Sequence, residues 1–438
     1  MGNRFWSALK LVVAAALSVT LTGLLIGALG NYAFGNVSAP IGSSTMVVKA
    51  MSLTTYQSWG YTVDSTPQGA RVRGLILRLK ALGFNHLTFN VRAKMVTGTT
   101  DTIISFVPPH QQPTEERLLE ETIEFAHSYG MTTGLRPILL VVGPRGEFPY
   151  SKSGVTWWHG NIAPGNPSLW FQSLRSFHER YLNLAKRKGV AQYTIGAELH
   201  SMVTGLGERR PKVPRGHPHL WTDFARYAKS VVGSTTQIAY DINYTDQYVL
   251  EDGVKKLGGE FEQFRYEMTK PVRSAEDTEF QNQLIGFWKQ LDIIGVDMYR
   301  ALASRSSGHS SDLTKLSQSL KTRADSHATQ IDTSLLEIES VTGVFKKLEL
   351  KEIGYRSTVA SFVNPAAYES SGGTLSVLHQ AAAWQALLAA FLVPQWPWFS
   401  GVHVWETNVD RDHLNPKDLG FSPLGKPLSE DVFRELFK

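Results

Sequence analysis

The chain has 438 residues, 42% hydrophobic and only 19% charged, enough for one large domain or two ordinary ones and too apolar for a disordered polymer. A net charge of +5 argues against a dedicated nucleic-acid binder, while permitting an anionic polymer or a membrane surface as partner. With no cysteine, disulfides, a Cys–His site and a lipidated N-terminal cysteine are all excluded. Eleven Trp and fifteen Tyr serve either a large core or the stacking of sugar rings.

Residues 11–29, LVVAAALSVTLTGLLIGAL, contain no charge and are long enough to cross a bilayer as a helix. Arg4 and Lys10 precede them, which predicts a cytoplasmic N-terminus and an exported remainder, periplasmic or extracellular. The length favours a retained signal-anchor over a cleaved signal peptide, which would leave a secreted chain. Residues 1–35 are therefore read as the anchor or signal, 36–45 as a Ser/Gly/Pro linker, and 46–438 as one domain.

Strands are predicted at 45–53, 85–91, 132–142, from 191 up to Glu198, 235–243, 290–299, 347–355 and 399–407. Helical patterns fall between them, at 67–82, at 114–130 with Thr114 as N-cap, and at 167–188, 220–232 and 375–392. Val/Ile/Leu-rich strands alternating with amphipathic helices imply a parallel sheet with helices outside. Eight such units predict an α/β fold, a (β/α)8 TIM barrel with insertions, preceded by the membrane-spanning helix. A doubly wound open sheet is the rival, but no Gly-rich phosphate loop follows the first strand. Residues 250–283, charged and without an expected strand, read as an insertion after strand five.

On this map Glu198 ends strand four and Glu352 lies at the end of strand seven, both on the C-terminal rim where such barrels carry their sites. Two carboxyl groups facing each other there suit glycoside hydrolysis. One must be protonated to help the leaving oxygen, and the other ionised to meet the anomeric carbon.

The pattern resembles clan A of the glycoside hydrolases, and most closely family 113, the β-mannanase family. The resemblance is carried by KEIGYRS (351–357), WWHGNIAP with the helix and strand that follow it (157–201), FWKQLDIIGVDMY (287–299), WFSGVHVWE (398–406) and GFSPLGKPL (420–428). It implies Glu198 as general acid/base and Glu352 as nucleophile of a retaining reaction, Tyr299 as the phenol that bonds the nucleophile, and Trp405 as the platform beneath the sugar. The clan's usual Asn before the acid/base is replaced here by Ala197, which removes a contact to the sugar 2-hydroxyl and opens space beside it. Arg92 and Asn243, at the ends of strands two and five, are candidate polar contacts to substrate.

Other motifs point elsewhere weakly. His217 and His219 stand in HPH without an HExxH partner and read as loop residues; no metal or cofactor is implied. Arg209, Arg210 and Lys212 form a basic loop after Glu198 that would suit an anionic glycan. The expected protein is a membrane-anchored retaining glycoside hydrolase of β-linked poly- or oligosaccharide, with no nucleic-acid partner. The alternative is a catalytically silent carbohydrate-binding barrel in a polysaccharide export or modification system.

Overall fold

The computed structural model describes residues 47–205, 215–305, 309–367 and 372–438. The expected anchor and the basic trio Arg209, Arg210 and Lys212 lie outside the described residues. No described helix is long and apolar enough to cross a membrane.

Eight strands form the barrel: β1 (Val48–Thr54), β2 (His86–Met95), β3 (Thr132–Val141), β4 (Gln192–Ala197), β5 (Gln237–Thr245), β6 (Ile293–Tyr299), β7 (Lys347–Ile353) and β8 (Phe399–Asn408). Each pairs in parallel with the next, and β1 pairs with both β8 and β2, so the ring closes. Closure leaves no exposed parallel edge. The helices are α1 (Pro67–Ala81), α2 (Gln112–Ser128), α3 (Pro167–Lys188), α4 (Pro218–Val232), α5 (Gly259–Thr269), α6 (Ala275–Gln290), α7 (Leu313–Thr342), α8 (Val377–Phe391) and α9 (Pro427–Leu436).

Local chemistry sets several boundaries. Helix α3 starts where the Asn166 side chain accepts from the Leu169 N–H and Pro167 presets the first turn, and it ends at Gly189 with φ of 62°. Helix α2 departs from expectation: Thr114 lies inside it, and Gln111 is its N-cap. Pro113 belongs in a first turn, where its missing N–H costs nothing, so the helix begins ahead of Thr114. The expected insertion is also shorter and more structured than its charge suggested. It holds an antiparallel hairpin, Tyr248–Glu251 with Val254–Leu257, and then α5, whereas residues from 275 onward belong to the barrel helix α6.

Trp170, Trp221, Trp288, Trp384 and Trp398 are fully buried, so much of the tryptophan content is core rather than sugar-binding surface. Inside the ring the chemistry is polar. Gln192 donates to Glu349 at 2.8 Å, Lys351 donates to Gln192 at 2.7 Å, and His403 bonds both Glu349 and Thr88 at 2.8 Å. These groups come from β2, β4, β7 and β8, and each is buried with its partners met, as a low-dielectric interior requires.

Candidate active site

The two glutamates owe their aim to backbone irregularities. On β4, Thr194 and Ala197 stand opposite Ala239 and Asp241, so β4 carries one extra residue. On β7, Leu350 and Glu352 stand opposite Val296 and Asp297, again one extra. Such bulges break the strict alternation of faces. Lys351 therefore reaches Gln192 inside the barrel while its neighbour Glu352 turns to the opening, where it meets Tyr299 and Arg136. Glu198 has φ of 52°, a left-handed conformation that costs a non-glycine residue about 1 kcal/mol or more. It is held there by its own N–H to the Asp241 carbonyl at 2.8 Å, and by the Leu199 N–H to the Tyr240 hydroxyl at 3.0 Å.

Both carboxyl groups are bonded on both oxygens, and both side chains are 14% exposed. Tyr299 donates to Glu352 Oε1 at 2.7 Å, and Arg136 Nη2 lies 2.8 Å from Glu352 Oε2. Asn243 Nδ2 donates to Glu198 Oε1 at 2.5 Å, and His159 Nε2 stands 3.0 Å from Glu198 Oε2.

Arg136 is the hub that the sequence did not announce. It is buried on β3, gives Nε to Asp241 and Nη2 to Asp297, each at 2.7 Å, and lies 5.7 Å from the Trp405 ring. Three carboxylates share one guanidinium. Burial pushes the Asp297 carboxyl well above the usual range against the pull of Arg136, and it raises Asp241 in the same way. Arg136 stays a cation, because Asp297, Glu352 and Asp241 outweigh the burial that would discharge it.

For Glu352, burial raises the carboxyl, Arg136 opposes, the charge of Glu198 adds to the rise, and Tyr299 pulls down; the balance is a raised value. For Glu198, burial is outweighed by the hydrogen bond and charge of His159, the bond from Asn243 and the charge of Arg136, so it sits below the usual range. In the free site Glu198 is therefore the readier of the two to ionise. An acid role requires it to regain a proton, which sets a pH condition on catalysis.

His159 comes from a loop, not a strand. It follows the hairpin of Tyr150–Lys152 with Val155–Trp157, and the turn is fixed by Asn161, which accepts from Trp158 N at 2.9 Å and donates to the Thr156 carbonyl at 3.0 Å. Its signal lay within WWHGN, but nothing local indicated that its imidazole would meet Glu198. Glu260 was missed as well. This fully buried residue of α5 accepts from the Tyr240 hydroxyl at 3.1 Å and from Asn243 N at 3.2 Å.

The remaining candidates divide. Trp405 is beside Arg136 at the opening. Asn243 reaches the site, where its amide donates to Glu198. Arg92 has no bond to either glutamate; its guanidinium lies between the rings of Tyr56 and Phe106, at 4.3 and 5.1 Å. His219 bonds Gln283 at 3.1 Å.

No family model and no curated protein matches the chain. Among solved structures, the family 113 β-mannanase of Alicyclobacillus acidocaldarius superposes with a TM-score of 0.60 at 19% identity, over 90% of this chain and 98% of that one. Another β-1,4-mannanase of family 113 gives 0.55 at 15% identity, over 90% and 99%. A family 5 mannosidase of Rhizomucor miehei gives 0.51 at 10%, over 90% and 92%. At such identities the likeness is one of fold. The chain is thus a closed eight-stranded parallel barrel similar in fold to clan A glycoside hydrolases, the family 113 β-mannanases among them.

Proposed function

We propose that the protein is a retaining glycoside hydrolase of β-linked polysaccharide or oligosaccharide, with Glu352 as nucleophile and Glu198 as acid/base. One observation carries the reading. Two carboxyl groups from the ends of β4 and β7 turn into the same opening, each fixed on both oxygens, and the charge of Glu198 is felt at Glu352. A purely structural carboxylate pair would gain nothing from a strained backbone at Glu198 and a bulge beneath each residue.

In the first step Glu198 gives its proton to the glycosidic oxygen as the bond to C1 breaks, and the Glu352 carboxylate forms an ester to C1. In the second, Glu198 takes a proton from water, the hydroxide attacks C1, and the ester breaks with net retention. Tyr299 and Arg136 hold Glu352 in line for attack, and the Arg136 cation stabilises the negative charge that returns to Glu352 as the ester is cleaved. Trp405 offers its face to the sugar at C1. With residues 11–29 as anchor, the barrel works outside the cytoplasm on an envelope or extracellular glycan.

The test is hydrolysis of a broad β-glycan panel by the wild type and by Glu352→Gln. We expect turnover by the former and its loss in the latter with the fold intact. Equal turnover by the two removes the nucleophile. No turnover by the wild type on any glycan it binds would favour the silent binding barrel.

A further inference from the structure

We propose that Glu260, carried by the insertion after β5, is a positioning residue for the acid/base. It grips Tyr240 and Asn243, and through them sets the backbone and the carboxyl of Glu198 in the geometry that proton transfer to the leaving oxygen needs. The inference rests on the glycosidase reading and adds to it a support that comes from the insertion.

Two chains of hydrogen bonds run from this one carboxyl to the acid. In the first, Glu260 Oε1 accepts from the Tyr240 hydroxyl at 3.1 Å, and the phenol oxygen accepts from the Leu199 N–H at 3.0 Å. A phenol has a single proton, so an acceptor for it leaves the oxygen's lone pairs facing Leu199. In the second, Glu260 Oε2 accepts from the Asn243 N–H at 3.2 Å, and the Asn243 amide donates to Glu198 Oε1 at 2.5 Å. Asn243 Oδ1 in turn accepts from Thr245 Oγ1 at 3.0 Å, so the amide is held at both ends. The chains finish on consecutive residues, Glu198 and Leu199, where the backbone of Glu198 is left-handed with φ of 52°. A non-glycine residue keeps such a conformation only where its surroundings over-determine it.

The insertion is shaped to bring the carboxyl there. Gly258 N and Gly259 N both donate to the Gln247 carbonyl, at 3.0 and 2.9 Å, which seats the start of α5 against the end of β5. Gly259 has φ of 57°, and a Cβ on it would come within 2.6 Å of Asn243 Oδ1 and 2.9 Å of Thr245 Oγ1. Glycine is what lets the helix approach the bonded amide so closely.

The acid is also costly where it stands. Glu260 is fully buried, and the Tyr240 ring it bonds lies 5.5 Å from that of Phe287 and 6.4 Å from that of Phe264, both buried. No cation is among the groups that act on it. An apolar side chain would pack there without the penalty of burying a carboxyl that meets no positive charge, so the position holds an acid for the bonds it makes. Burial, with the charge of Glu198 adding to it, raises the carboxyl to about 8. At neutral pH Glu260 therefore holds its partners without placing a second negative charge behind the acid.

The experiment titrates Glu198 in the full chain, by NMR of glutamate labelled in the side-chain carboxyl, with Glu198→Gln giving the assignment. Wild type, Glu260→Leu, Glu260→Asp and Glu260→Gln are compared. Glu260→Asp keeps the carboxyl but draws it back by one methylene, and it stands in where Glu260→Leu fails to fold. Over the acid range in which Glu198 titrates, Glu260 is neutral, so the loss registered is that of the bond from Asn243; His159 and Arg136, which also act on Glu198, are untouched. We expect the titration of Glu198 to move to higher pH in Glu260→Leu and Glu260→Asp, and to stay in place in Glu260→Gln, which has the shape of the neutral acid. In parallel, kcat/KM is measured on phenyl and 2,4-dinitrophenyl β-mannobiosides. Glu260→Leu and Glu260→Asp should lose about 100-fold on the phenyl compound, whose leaving oxygen needs the acid, and less than about threefold on the dinitrophenyl compound, whose leaving group needs none; Glu260→Gln should recover the rate. General damage to the barrel would lower both alike. An unmoved Glu198 titration in a folded Glu260→Leu or Glu260→Asp, or an equal loss on the two substrates, overturns the proposal. Hydrolysis by the wild type is scored separately. A shifted titration without turnover on any glycan sinks the glycosidase reading and keeps the grip of Glu260 on Glu198, whereas turnover with an unmoved titration does the reverse.

Discussion

Glu260→Gln is the substitution whose outcome the structure quantifies best. Glu260 is fully buried on α5, and its oxygens accept from Tyr240 Oη and Asn243 N, behind the strand end that holds Glu198. Burial, with the charge of Glu198 adding to it, pushes its carboxyl from 4.5 up to about 8. Between those values the unfolded chain has released this proton and the folded chain keeps it. Stability therefore falls by about 1.4 kcal/mol per pH unit as pH rises through the window, and levels off above it. The contribution is complete below about pH 4.5, and about 5 kcal/mol is lost by pH 8; at pH 7 the loss is about 3 kcal/mol. Glutamine has nearly the same shape and no proton to lose. The assay is urea unfolding of wild type and Glu260→Gln from pH 5 to pH 8. Groups common to both cancel in the difference, which should move in favour of the variant by about 1.4 kcal/mol per unit. A fixed offset with no slope would show that Glu260 is ionised in the folded protein and would refute the argument.

Three further outcomes follow from the same geometry. Removing the His159 hydrogen bond and charge in His159→Ala lets the proton affinity of Glu198 rise, so the alkaline limb of kcat/KM should move to higher pH; an unmoved limb would show that His159 does not govern the acid. Arg136→Met strands Asp241, Asp297 and Glu352 without their shared cation and should cost about 3–5 kcal/mol in chemical denaturation at neutral pH, the loss shrinking in acid as the carboxyls protonate. With Ala197 in place of an amide beside Glu198, the site should favour a substrate modified at C2, such as an N-acetylhexosamine, over plain mannan or glucan. Kinetics on oligosaccharides matched except for hydroxyl or acetamido at C2 measure this, and efficient cleavage of unmodified β-1,4-mannan with no gain for the modified series would show that Ala197 does not select the substrate.

The sequence alone determined the alternation of strands and helices, and with it the barrel, because period and capping are properties of neighbouring residues. Strand β7 and helix α3 fall close to the expected 347–355 and 167–188. The same map sets Glu198 and Glu352 at the ends of strands four and seven; in the structure Tyr299 ends β6 and Trp405 lies within β8. Tertiary structure decided what surrounds them. Arg136, within a strand of apolar residues, gave no local sign that it would bridge β5, β6 and β7. His159 reaches Glu198 from a loop, Glu260 accepts from Asn243 N from within the insertion, and the Asn243 amide donates to Glu198. Arg92 stands on β2 with its guanidinium against the Tyr56 and Phe106 rings. The faces of Glu198 and Glu352 depend on register, which one-residue bulges in β4 and β7 reset, and the other five meet their partners only because closure of the ring brings together strands, a loop and a helix that are far apart in sequence.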